Sequence, residues 1–402
     1  MELFVKIIAL NYELLKGVNS VNNKQQSLVI GIVSGEISGD ILGANLIRKF
    51  KEKVPNTRFI GVPGPLMRTE GCEVLYKMEE FAVIGFNDIL KKIFKFLLIR
   101  KKLIKYFNKF KIDLFIGIDA PDFNLNLEKH LKSKGIKTIH YVSPSIWAWR
   151  KKRIIKIKKS TNLILVLLPF EKAIYDKFNI KCCFIGHSAA DEIPLKPNRD
   201  EARIKLNIPK NVKCLAILPG SRYSEIEMLS GIFLKTAKIL QKQFTDLHII
   251  VPLANKLCRQ KFEDIKKTIL IDAPILFLDG QARDAMTAAN VTLLTSGTAS
   301  LECMLTKCPM IVAYKMKLFW IAKILVKTPY ISLPNILAQK EIVKEFLQKK
   351  CQPDKIAQQL IPLFNEDKNI FKLKQTFLKL HNLIRCDSDN KAVNAILKLI
   401  KN

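Results

Sequence analysis

The stretch LVIGIVSGEISGDILGA, residues 28–44, decides the fold. Six residues of apolar, β-branched character (Leu28–Val33) run into a turn bearing Gly35 and Gly39. An apolar helical pattern follows. A strand that ends in a glycine turn and feeds a helix is the opening of a parallel α/β unit. Ligands of such sheets collect at the carboxyl ends of the strands. The same alternation continues outward. Further strands are expected at Arg58–Val62, Asp113–Ile118, Lys137–Val142 and Leu163–Leu168, then at Lys213–Leu218, Leu247–Val251, Ile275–Leu278, Val291–Leu294 and Met310–Ala313. The segment Asp191–Lys210, with Pro194, Pro197, Asn198 and Pro209, separates two such runs.

The expected organisation is therefore an extension at 1–26, a first Rossmann-like unit at 27–190, a second at 191–364, and tail helices at 365–402. A chain of 402 residues suits two units of that size. No apolar run reaches the roughly 18–20 residues that span a bilayer. The first ten residues are too short, and interrupted by Lys6, for a signal peptide, so a cytoplasmic location is expected. The nine cysteines include no CxxC pair and read as reduced thiols, not as a metal or disulfide framework.

A net charge of +31 calls for an anionic partner or reflects heavy lysine usage. Two basic stretches stand out. In Lys91–Lys111, Lys91, Lys95, Lys102, Lys105 and Lys109 share one helical face, with Ile93, Phe94, Leu97, Leu98, Ile104 and Phe107 mostly opposite. Such a helix either lies on a membrane surface or turns its apolar face to the core. The other is Trp147–Lys159, with seven basic residues from Arg150 on. It reads as a phosphate contact or as a solvated turn.

Four strand-to-helix turns carry polar groups suited to chemistry. The first is SGEISGD, with Gly35, Glu36, Ser38, Gly39 and Asp40, where Asp40 is also a natural helix cap. The second is IDAPDF, residues 118–123. Here Asp122 suits the first helical turn for dipole reasons, while Asp119 at the strand end has no such structural role. Asp119 is thus the better candidate for a general base. The third, LPGSR, offers Ser221 and Arg222 beside a helix N-terminus, a ready diphosphate site. The fourth is TSGTASLE, where phosphates at Ser296, Gly297 and Thr298 would leave Glu302 one turn on, able to accept both ribose hydroxyls. His140 and His187 read as structural.

These turns, with GVPGPLM, EGCEV, GIKTIHYVSPSIWAWR, LPFEKAIYDKF, FIGHSAAD, KCPMIVAY, VKTPYISLPNILA and IRC, resemble the lipid-A-disaccharide synthase family. They occur in the family's order from about Ser27 to Cys386. The resemblance implies a GT-B architecture whose tail returns to the N-terminal unit, and inverting transfer without a metal or other cofactor. It implies UDP-2,3-diacylglucosamine as donor and 2,3-diacylglucosamine 1-phosphate as acceptor, joined β-1,6 with release of UDP. The catalytic candidates are Asp119, with Glu36 and Asp122 secondary. Ser221, Arg222, Ser296, Gly297, Thr298, Glu302 and Asn335 are those for UDP, and Gly35, Ser38, Gly39 and Asp40 form the acceptor loop.

Phe81–Leu98, extended by Lys95, Lys102 and Lys105, would meet the anionic inner-membrane surface from the cytoplasmic side. Phe94, Leu97 and Leu98 would form its apolar part. Oligomeric state is open, a homodimer included. The first 26 residues precede the family's usual start, and Met316–Thr328 is about two residues shorter than its usual form. The alternatives are another UDP-sugar transferase or an epimerase of the same fold. A nucleic-acid-binding protein is suggested by charge alone; no stacking module accompanies the basic residues, so nucleic acid is not an expected partner.

Overall fold

The computed structural model describes residues 28–78, 89–147, 151–316, 328–365 and 367–401, with 89–93 described by backbone alone. The extension, the start at 81–88 of the segment expected to meet the membrane, and most of 316–328 therefore lie outside the described residues. The first sheet has seven parallel strands, β1 (Val29–Ser34), β2 (Arg58–Val62), β3 (Cys72–Val74), β4 (Leu114–Ile118), β5 (Lys137–Tyr141), β6 (Leu163–Val166) and β7 (Cys182–Phe184), in the order β3-β2-β1-β4-β5-β6-β7. The second has six parallel strands, β8 (Lys213–Leu218), β9 (Leu247–Leu253), β10 (Ile275–Asp279), β11 (Val291–Thr295), β12 (Met310–Tyr314) and β13 (Lys344–Leu347), in the order β10-β9-β8-β11-β12-β13.

All ten expected strands form, within one or two residues at most ends. The three additional ones, β3, β7 and β13, are edge strands of three or four residues, too short to show a hydrophobic pattern. Strand β5 stops before Val142, whose backbone is left-handed at φ 77°, and the run after β6 ends where Pro169 opens a helix.

Both faces of each sheet are covered, as parallel sheets require. On one face of the first sheet, Val33, Ile60, Val62 and Phe115 pack with Ile99, Leu103 and Phe107 of the helix Ile89–Phe110 and with Leu127 and Leu131. On the other, Ile30, Ile32, Ile116 and Ile139 pack with Leu46 and Phe50, and also with Ala392, Val393 and Ile396 from the last helix, Ser388–Lys401. The tail thus divides between the units. Its earlier helix, Lys368–Ile384, buries Phe377, Leu380 and Ile384 against Leu301, Met304 and Leu305 of the second.

The crossing is held by charge-assisted bonds. Asp191 accepts from the amides of Cys386 and Asp387 at 2.9 Å each, from the Ser388 amide at 2.7 Å and from the Ser388 hydroxyl at 2.5 Å, which caps the final helix. His187 N–H donates to Ile384 O at 3.0 Å, and Gly186, at φ 85°, leaves a gap in which a Cβ would sit 2.5 Å from the same carbonyl. Replacing Asp191 by Ala should cost about 2 kcal/mol, the sum expected of a lost cap and its charged bonds. A lowered denaturation midpoint with early proteolysis inside 385–401 would show it; an unchanged midpoint would remove Asp191 from this role.

Candidate active site

Strand order places the site. In the first sheet the chain winds one way from β1 to β2 and the other way from β1 to β4, so β1 and β4 flank the point of reversal. In the second sheet β8 and β11 do the same. Connections leave such a pair toward opposite faces and open a crevice at their carboxyl ends. The four turns singled out above follow those four strands: SGEISGD after β1, IDAPDF after β4, LPGSR after β8 and TSGT after β11.

The two turns of the first unit touch. A Cβ on Gly35 would lie 2.8 Å from that of Ala120, so only glycine admits this approach. Asp119 and Ala120 both take left-handed backbone, at φ 50° and 42°, which turns the chain off β4 sharply. Asp119 N–H donates to Tyr141 O at 2.8 Å, and the Asn124 amide donates to Asp119 O at 2.8 Å. The Asp119 residue is half-buried. Burial and the nearby Glu36 charge push its carboxyl above the usual range, opposed by His140, the Ala120 amide and Arg222.

Other candidates of this unit are placed as follows. Asp40 is buried, and its two oxygens accept from the Leu66 and Met67 amides at 2.9 and 3.0 Å, capping the short helix Pro65–Thr69. A Cβ on Gly39 would meet Ser34 Oγ at 2.6 Å, while Ser38 is half-buried in the first turn of the helix after β1. Asp122 is exposed and bonded to Arg153 at 2.5 Å, so that arginine of the basic stretch serves a local ion pair. Residues 148–150 of that stretch lie outside the described residues.

Across the crevice, Arg222 reaches back to the first unit. Its Nη2 donates to both oxygens of Glu36, at 3.0 and 3.1 Å. Glu225 accepts from the Ser221 and Arg222 amides at 3.0 and 3.3 Å, so the LPGSR turn already holds a carboxylate among its N–H groups. Gly297 and Thr298 are exposed at the head of the helix Thr298–Leu305. Beside them Ser296 Oγ donates to Ile331 O at 2.8 Å.

Glu302 accepts from Arg283 Nε at 2.8 Å, and Arg283 also reaches Glu192, which accepts from Asn45 at 2.8 Å. This second bridge ties the helix Ile37–Lys53 of the first unit to the helix Thr298–Leu305 of the second. Asn335 is fully buried: its oxygen accepts from the Ile342 and Val343 amides, and its nitrogen donates to Val343 O and Glu345. Glu345 in turn holds Ile331 and Ser332, so Asn335 shapes the loop beside the TSGT turn from within.

Sequence reasoning missed Glu225, Arg283, Glu128 and Glu171. The first follows Arg222 by three residues, the spacing of a capping box. Glu171 is buried at the head of the helix Pro169–Asp176, accepts from the Trp147 indole at 3.1 Å, and is raised to about 7 by burial. The other two pair with residues distant in sequence. Of the two histidines read as structural, His140 is buried and meets Glu128 beneath Asp119, and the half-buried His187 accepts from the Ala189 amide.

The membrane candidates divide. Ile99, Leu103 and Phe107 are core, whereas Phe94, Leu97 and Leu98 are 65%, 47% and 46% exposed. Lys102 and Lys105 are exposed, and Lys95 is half-buried. Among the described residues no helix is long and apolar enough to cross a membrane.

Comparison with known proteins agrees with this arrangement. The family model for lipid-A-disaccharide synthetase matches residues 30–396. The lipid-A-disaccharide synthase of Salmonella paratyphi B is 55% identical over 377 residues, covering 93% of this chain and 99% of the relative. That of Klebsiella pneumoniae is 55% identical over 380 residues, 94% of this chain and 99% of the relative. Among solved structures, a UDP-GlcNAc 2-epimerase from Neisseria meningitidis bound to UDP-GlcNAc aligns with TM-score 0.62 at 14% identity, covering 94% of this chain and all of that one. The glycotransferase of kitacinnamycin aligns with TM-score 0.62 at 13% identity, covering 93% and all respectively. Those likenesses establish the GT-B fold; the match of family model and sequence along nearly the whole chain establishes that this chain belongs to the lipid-A-disaccharide synthase family of glycosyltransferases.

Proposed function

We propose that this chain transfers 2,3-diacylglucosamine from UDP-2,3-diacylglucosamine to 2,3-diacylglucosamine 1-phosphate, with Asp119 as base and Arg222 at the diphosphate. The observation that carries this reading is the Glu36–Arg222 pair across the crevice, beside Asp119, whose carboxyl is raised by burial and then by Glu36. The acceptor's 6-hydroxyl oxygen attacks C1 of the donor sugar from the face opposite UDP. Its proton passes to the Asp119 carboxylate as the C1–oxygen bond to the diphosphate breaks, so the anomeric centre inverts. A carboxylate raised by burial is a stronger base than an ordinary one, and such help contributes about 10²–10⁴-fold.

Charge growing on the leaving diphosphate needs fixed donors, commonly the larger effect. Arg222 and the amides at Gly297 and Thr298 are those available. Glu36 accepts from Arg222 where the diphosphate would lie. A diphosphate carries more charge and displaces it. Glu302, oriented by Arg283, receives the ribose hydroxyls. Asp122 is a weaker candidate for the base because it is exposed and paired with Arg153.

The acyl chains require access to a bilayer, and Phe94, Leu97 and Leu98 beside Lys102 and Lys105 form a surface suited to it, on the cytoplasmic face of the inner membrane.

Incubating the purified chain with both diacylated substrates should release UDP and the disaccharide, whereas UDP-GlcNAc should be neither transferred nor epimerised. Asp119→Ala should abolish nearly all turnover yet keep UDP affinity within a few-fold by calorimetry, because the base acts on the acceptor. Near-normal turnover would remove it from that role. Arg222→Ala should weaken UDP binding by roughly 1.5–3 kcal/mol, the worth of a charged hydrogen bond. Unchanged affinity would move the diphosphate elsewhere.

Replacing Lys95, Lys102 and Lys105 by Gln should weaken binding to anionic vesicles by roughly 2–3 kcal/mol, at about 1 per charge. Phe94→Ser with Leu97→Ser should release vesicles even at low salt with an unaltered thermal melt, since both side chains are exposed. A lowered melt with vesicle binding retained would argue against the membrane surface.

A further inference from the structure

Beneath Asp119 lies a pair of ionisable groups that the reaction above leaves unused. Glu128 and His140 are both fully buried, and His140 Nδ1 lies 2.6 Å from Glu128 Oε1. Among the described residues, neither the other carboxylate oxygen nor His140 Nε2 meets a hydrogen-bond partner. A buried charge-bearing pair is expensive to keep, and apolar residues of like volume would serve stability at least as well. Its presence here points to function.

The backbone makes room for this pair and nothing else. Strand pairing sets Gly117 of β4 opposite His140 of β5, and a Cβ on Gly117 would stand 2.3 Å from Glu128 Oε1. Asp119 follows Gly117 by two residues and is tied to the next residue of β5 through Tyr141 O. One helix, Pro121–Ser133, supplies both supports on one face. Asn124 grips the Asp119 carbonyl, and Glu128, one turn further, grips the imidazole. Glu36 and Arg222 face Asp119 from the SGEISGD and LPGSR turns, and Lys156 faces Glu128 from the helix Arg153–Ser160. Glu36 is the like charge among these, so Asp119 needs an opposing one that remains when the donor takes Arg222.

We propose that Glu128 and His140 are positioning residues for the base: the buried carboxylate holds the imidazole in one orientation, and the imidazole supplies Asp119 with a fixed counter-charge. The proposal rests on Asp119 being the base. His140 opposes the upward push of burial on Asp119, and Glu128 Oε1 holds its Nδ1 at 2.6 Å. Removing His140 takes that opposing group from beside Asp119, and removing Glu128 takes away the partner that orients the imidazole.

The test is the pH profile of kcat/KM of the full chain with both diacylated substrates in detergent. Wild type, Asp119→Asn, His140→Gln, Glu128→Gln and the His140/Glu128 double variant are compared. His140→Gln and Glu128→Gln should each move the acid limb upward by about one pH unit, the usual size for loss of a neighbouring opposite charge. KM for the UDP donor should stay within about two-fold, and the double variant should match the singles, because members of one unit are not additive. An acid limb unmoved in both single variants, with turnover falling only as the melt falls, would make the pair structural and overturn the proposal. Glu128→Gln is isosteric and can still accept from Nδ1–H, so it decides the matter should His140→Gln fail to fold. Asp119→Asn separates the two readings. If it retains normal turnover the base assignment itself falls; if it is inactive while the profiles of the pair variants match wild type, only the pair falls.

Discussion

The reversal of strand order at β1/β4 and again at β8/β11 is the constraint on which the rest of this molecule depends. In a parallel sheet every strand delivers its carboxyl end to one edge, and helices normally crowd the loops there. Only where winding changes direction do successive loops part to opposite faces and leave a crevice. Each unit has one such place, and each fills it with two glycine-bearing or sharply bent turns. Gly35 approaching Ala120, and the left-handed Asp119 and Ala120, are what the crevice requires of its walls. A Cβ at Gly35 would force the β1 and β4 loops apart and take Asp119 with them.

Within that crevice, charges are arranged as neighbours that oppose one another. Arg222 is shared between Glu36 and Glu225, and Arg283 between Glu192 and Glu302. Each arginine bridges a group of the first unit, or of the segment leaving it, to one of the second. Planar guanidinium suits this, because its forked donors can keep one carboxylate while offering another face to a phosphate. The two bridges are partly exposed, so neither adds much to stability. They set the relative placement of the units at the mouth of the site, while packing through Asp191 and the final helix sets it at the hinge.

Much of this was written in the sequence, and the exceptions have physical reasons. Nine of the ten expected strands are largely buried, β10 being a half-buried edge, and all ten read as apolar runs; β3, β7 and β13 lie at edges and are too short to carry a pattern. Asp119, Arg222 and Glu36 were legible because a polar residue at a strand's carboxyl end has few structural uses. Asp40 and Asn335 were legible as polar and special, but their bonds turned inward, to the Leu66 and Met67 amides and to the Ile342–Glu345 segment. Nothing in local spacing distinguishes a carboxylate that caps a distant helix from one that faces a ligand. Glu128 and Arg283 needed the tertiary structure altogether. Their partners lie 12 residues away or more, and the room for Glu128 comes from a glycine on another element.

The helix Ile89–Phe110 shows the same limit from the surface side. At 100° per residue, Ile99, Leu103 and Phe107 fall on one face, while Phe94, Leu97 and Leu98 fall on roughly the opposite one. A helix that is apolar on two faces has two partners to satisfy. The first sheet supplies one, through Phe115 and Val33. Among the described residues nothing covers the second, and Lys102 and Lys105 flank it, exposed. Sequence periodicity could present core and membrane only as competing accounts of a single apolar face. The packing separates two apolar sets, exposed near the helix's start and buried along its later turns. That division places the exposed apolar side chains on the helix whose buried side also packs against Phe123, at the head of the helix that carries Asn124 and Glu128 beneath Asp119.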